Sequence, residues 1–71
     1  MNLFIFKTDL NSNHKIFRLR KVLSNRALIK RWTIDLEDVD KILKVFVTER
    51  IQKLELITLL ENSGIDFEEL E

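Results

Sequence analysis

The chain has 71 residues, with no cysteine, no proline, one glycine and one histidine, and its twelve basic side chains balance twelve acidic ones. That length holds one domain, 1–71, with a marginal core, and the lack of cysteine excludes disulfides and thiolate metal sites. The charge is zero overall but polarised: residues 1–32 carry eight basic side chains against Asp9 alone, and residues 33–71 carry four against eleven acidic ones. Such a split points either to a partner or to two halves that neutralise each other when packed.

Only four consecutive apolar residues follow Asn2. That is too short for the apolar core of a signal peptide or for a membrane span, so a soluble, cytoplasmic protein with no membrane partner is expected. Leu3 to Thr8 is rich in Phe and Ile and is bounded by Asp9, Asn11, Ser12 and Asn13, which reads as a strand. Its successive apolar residues suit a central strand covered on both faces. Asn13 to Asn25 reads as a helix, with Ile16, Leu19, Val22 and Leu23 at helical spacing. Ser12 or Asn13 can cap it, because a short side-chain oxygen accepts from the free amides of the first turn.

Leu28 to Leu36 alternates as a half-buried strand. Leu28, Trp32, Ile34 and Leu36 share one face, Ile29, Arg31, Thr33 and Asp35 the other, and Lys30 breaks the pattern. The polar turn Glu37-Asp38-Val39-Asp40 leads into a third strand, Lys41 to Val47, which forms an antiparallel hairpin with the second. Leu54 to Ser63 reads as a second helix. Leu54, Ile57 and Leu60 take its core face, Leu56 flanks it, and Gly64 ends it in the left-handed conformation. Ile65 to Leu70 is a short last strand. A rival reading makes Lys41 to Asn62 one long helix, and the Val-Phe-Val run at 45–47 argues against it.

The order strand, helix, strand, strand, helix, strand is the α+β, ferredoxin-like βαββαβ sandwich: a four-stranded antiparallel sheet with two helices on one face. Asp9-Leu10-Asn11-Ser12-Asn13-His14-Lys15 falls between the first strand and the first helix, with Ile16, Leu19 and Leu23 continuing into the helix. Leu28-Ile29 begins the second strand, and Leu60-Glu61-Asn62-Ser63-Gly64-Ile65 closes the second helix. With these features the chain resembles the heavy-metal-associated (HMA) domain family, the copper-chaperone-like modules, over nearly its whole length. That family's loop reads Gly/Asp-Met-Xaa-Cys-Xaa-Xaa-Cys. The resemblance therefore places Ser12 and Lys15 where the family has its two cysteines, and Leu10 where its methionine packs beneath the loop. A soft ion such as Cu(I) requires thiolates, and a protonated lysine repels a cation. The fold carries over, and thiolate metal transfer does not.

The remaining candidates divide by chemistry. His14 with Asp9 gives too few ligands for a closed metal site, which takes four, so weak Cu, Ni or Zn binding through His14 stands only as an alternative. Ser12 and His14 lack an orienting third group and an oxyanion loop, so no catalysis is expected, and no cofactor is implied. Arg18, Arg20, Lys21, Arg26, Lys30, Arg31 and Trp32 form a basic region, a second alternative that would bind nucleic acid by phosphate contacts and stacking. It requires aromatics on the open sheet face, and the acidic half repels a polyanion. The acidic tail Asp66, Glu68, Glu69 and Glu71 lacks the spaced ligands of a calcium loop and reads as a charged edge.

With helices on one face only, the sheet is expected to expose either Leu3 and Ile5 or Phe4 and Phe6, a mark of an association surface. The leading expectation is a non-catalytic, HMA-like domain acting through protein contacts, either with a protein partner or as a homo-oligomer. Lys30 and Arg31 on one edge strand would match Glu68 and Glu69 on the other.

Overall fold

The computed structural model describes residues 2–24, 26–48 and 52–70. Its elements are β1 (Asn2–Thr8), α1 (Asn13–Ser24), β2 (Ile29–Asp35), β3 (Ile42–Val47), α2 (Lys53–Asn62) and β4 (Phe67–Leu70). The strands form one antiparallel sheet in the order β2-β3-β1-β4. This is the ferredoxin-like arrangement, with β2 and β4 as the edges. A strand at 42–47 and a helix only from Lys53 exclude the single long helix. Asn25, where the sequence pattern ends α1, and residues 49–51 lie outside the described residues.

Cross-strand partners share a face, so the register divides the sheet. Phe4 pairs with Val45 and Phe6 with Leu43, while Leu3 pairs with Phe46 and Ile5 with Lys44. Phe6, Leu43, Val45 and Val47 are fully buried together with Leu10, Leu19 and Leu23 on the α1 side and Leu56 and Leu60 on α2. Each such leucine contributes about 1.5–3 kcal/mol by leaving water. Phe6 also meets Phe67 of β4 edge-on, with centroids 5.8 Å apart and rings at 88°, the arrangement in which a ring edge meets a π face. Among the described residues no helix covers the opposite face. β1 is central, but it is covered on one face only, and Leu3 on the other face is 45% exposed.

Two face assignments change. Ile29 pairs with Val47 and Arg31 with Phe46, so a β-bulge at Lys30 places an extra residue between them. A bulge shifts the alternation by one. Ile29 therefore joins Trp32 and Ile34 against the core, not the Arg31 face. In α2 the buried residues are Leu56 and Leu60, one turn apart, and Leu54 is 73% exposed. The stripe turned to the sheet runs through Leu56, Ile57 and Leu60, which leaves Leu54 on the outer side.

Among the described residues two positions have positive φ. Gly64, at +79°, follows the α2 C-cap Ser63 and donates its N–H to the Glu61 carbonyl. Lys41, at +45°, closes the β2–β3 turn, so β3 begins one residue later than the sequence pattern implies.

Candidate functional site

The loop 9–12 stands at one end of the sheet, between β1 and α1. Thr8 fixes its root: the hydroxyl donates to the Lys41 carbonyl at 2.7 Å and accepts the Leu10 N–H at 3.3 Å, while the Thr8 N–H donates to Asp40. The β1–α1 loop and the β2–β3 turn are thus joined through one threonine. Leu10 is buried beneath the loop. Ser12 caps α1: its Oγ accepts the Lys15 N–H at 3.3 Å, and its carbonyl accepts the Ile16 N–H.

Asp9 ties the loop to the other side of the molecule. Its Oδ2 accepts from the Lys15 Nζ at 2.7 Å, and its Oδ1 accepts the Asp66 N–H at 3.0 Å. The Asp9 N–H in turn donates to the Asp66 carbonyl at 3.1 Å, and the Asn11 N–H donates to the Asp9 carbonyl. Partial burial raises the Asp9 carboxyl, but the Lys15 hydrogen bond and the Asp66 amide together outweigh it. The group is held below the ordinary carboxylate range.

This donor set does not fit a soft metal ion. The Ser12 hydroxyl is used as a helix cap, Lys15 is a cation, and both Asp9 oxygens already accept hydrogen bonds. His14 is exposed in the first turn of α1. Among the described residues no three His, Cys, Asp or Glu side chains gather as metal ligands. The loop pair Lys15–Asp9 was not expected from the sequence. One signal pointed to it: a lysine in the first turn of a helix opposes the helix dipole and needs a nearby carboxylate.

The other candidates are separated by the fold. Trp32 packs against the core on the helix side, as do Phe4 and Phe6. Phe46 lies on the open face with the Arg31 guanidinium 4.6 Å above its ring centroid. Stacking bases on Trp32 is therefore excluded by its position. Lys30 is the bulge residue on the β2 edge. On β4, Glu68 faces Lys7 across the strand pair, and Glu69 faces Phe6, on the helix side, where it forms an ion pair with Lys53 of α2. The open face carries Leu3, Ile5, Phe46 and Leu70 as one apolar strip, between the basic β2 edge and the acidic β4 edge.

No protein-family model and no curated protein matches the chain. Solved structures do. The apo HMA domain of a copper chaperone for superoxide dismutase aligns with a TM-score of 0.80 at 22% identity, covering 97% of this chain and 66% of that one. The chain thus spans just under two thirds of that protein. The yeast copper transporter domain Ccc2a, solved in apo and Cu(I)-loaded states, aligns at 0.79 and 15% identity, covering 100% of this chain and 97% of that one. A chain of the Atx1–Cu(I)–Ccc2a complex aligns at 0.80, also at 15% identity, with coverages of 100% and 97%. The fold of this chain is that of copper-chaperone HMA domains, and it stands here without their cysteines. Among the described residues no helix is long and apolar enough to cross a membrane.

Proposed function

We propose that this HMA-type domain is a non-catalytic interaction module of the cytoplasm that does not handle thiolate-bound metal and acts through protein contacts, its own copies included. The observation that carries this reading is the open sheet face. An apolar strip of Leu3, Ile5, Phe46 and Leu70, with Lys44 on the same face, lies between an edge bearing Lys30 and Arg31 and an edge that presents Glu68 to this face, while Glu69 turns to the helix side. Apolar surface rimmed by charge marks association sites. The Atx1–Cu(I)–Ccc2a complex, similar in fold, is itself a protein–protein assembly, which supports protein contact as the mode of action.

The contact joins the basic edge of one copy to the acidic edge of the next. Such head-to-tail contacts give rings where the rotation between copies closes and open chains where it does not. The bulge at Lys30 interrupts the β2 ladder, so the edges meet through side chains and not through a continuous shared sheet. Light scattering at about 100 µM protein, a weak-binding concentration, tests the reading at low and high salt. Association that fades with salt is expected. Lys30→Glu alone and Glu68→Lys alone weaken it, and mixing the two variants restores it. A monomer under all conditions overturns self-association.

A further inference from the structure

We propose that Lys15 is a tethered cation: its ammonium group fills the loop as a bound ion would, and it holds the loop in one conformation that needs neither metal nor thiol chemistry. The ammonium meets the Asp9 Oδ2 at 2.7 Å and the Asp9 carbonyl at 3.5 Å. The same carboxylate takes the Asp66 N–H at 3.0 Å, and the Asp9 N–H returns to the Asp66 carbonyl at 3.1 Å. Three segments therefore meet at one side chain: the end of β1, the first turn of α1, and the connection from α2 to β4.

Local helix chemistry gives no reason for this lysine. Ser12 is the cap, so Lys15 stands third in the helix, where an acidic or amide side chain would suit both the dipole and the free amides. The carboxylate six residues back supplies the reason. Because the cation is covalently attached, its occupancy follows the chain's own geometry, in the way a linker sets effective concentration, and not the supply of free ions. The loop is then insensitive to metal availability and to redox state. This inference rests on the reading that the loop carries no metal, and its test keeps the two apart.

The experiment is amide hydrogen exchange by NMR on the full chain, comparing wild type with Lys15→Met and Lys15→Arg. Methionine keeps the apolar stem and removes the charge. The expected result is exchange at Asp66 and Asp9 about tenfold faster in Lys15→Met, with Val45 in the sheet centre changing less, and near wild-type behaviour in Lys15→Arg. Equal acceleration at Asp66 and Val45, or none, overturns the clamp. Asp9→Asn, which leaves the backbone pair in place, gives a second variant with the same expected signature should Lys15→Met not fold. In a separate arm, Cu(I) and Zn(II) are added to wild type. Unmoved resonances at Asp9, Ser12, His14 and Lys15 are expected, and a metal-induced shift there overturns the metal-free reading whatever the exchange data show.

Discussion

The ammonium of Lys15 lies 2.7 Å from the carboxylate of Asp9, and the two side chains are 33% and 28% exposed. This geometry makes stability depend on pH in a definite direction. The folded state holds the Asp9 carboxyl below its ordinary range, so it favours the ionised form more than the unfolded chain does. The stabilisation is present in full above the unfolded value and is lost as pH falls through the folded one. The groups facing Asp9 are the Lys15 ammonium and the Asp66 backbone amide. Urea denaturation of wild type and Asp9→Asn should differ by about 1–2 kcal/mol at pH 7. The gap should narrow below about pH 4. A gap of the same size at pH 3 would contradict the pairing.

Truncation of α2 separates the two leucines whose faces the structure exchanges. Leu56 is fully buried between the helix and the sheet, and Leu54 is 73% exposed. Leu56→Ala is expected to cost about 2–5 kcal/mol and Leu54→Ala less than about 0.5 kcal/mol. A chain of this size has roughly 4–10 kcal/mol in total, so the first variant is close to unfolding. Thermal melts followed by circular dichroism decide it, and equal losses would return Leu54 to the core.

The element order was legible because apolar spacing over five to ten residues records it directly, and the edge strands follow from that order; which face of β1 turns inward was not, because Leu3 and Ile5 on one face and Phe4 and Phe6 on the other are equally apolar. Ile29 was not legible either: Lys30 interrupts the alternation, but a polar residue on an apolar face does not by itself say that the strand bulges there and turns Ile29 to the core. Leu54 and Leu56 were exchanged because both lie within one turn of a short helix rich in leucine, where the stripe is set by how the helix docks. The Lys15–Asp9 pair depends on the path of the loop between them, and Glu69's contact with Lys53 depends on the β1–β4 register. Neither is a property of local sequence.

The two left-handed positions predict substitutions of opposite sign. At Gly64, with φ +79°, an added Cβ would meet only the Arg18 guanidinium, at 3.5 Å, an ordinary contact. The cost of Gly64→Ala is therefore conformational, about 1–2 kcal/mol. Lys41 already bears a side chain at φ +45°. Lys41→Gly relieves that strain and gives up an exposed hydrogen bond from the Nζ to the Leu36 carbonyl, so it is expected to be neutral or stabilising by up to about 1 kcal/mol. Denaturation midpoints of the two variants moving in the same direction would refute the assignment.

Restoring thiols to the loop tests whether ligands alone separate this chain from a metal carrier. Ser12 and Lys15 are three residues apart at the start of α1, above a buried Leu10, so Ser12→Cys with Lys15→Cys places two soft donors on one loop. Without metal, the double variant loses a helix cap worth about 1 kcal/mol and an ion pair worth up to about 1 kcal/mol, and it should melt below wild type. Cu(I) then stabilises it by mass action, because the folded loop binds the ion and the unfolded chain binds it less well. Wild type and either single variant should show no such rise in Tm. If the double variant is also indifferent to Cu(I) in competition with a chelator, the loop path itself, and not the missing thiols, excludes the metal.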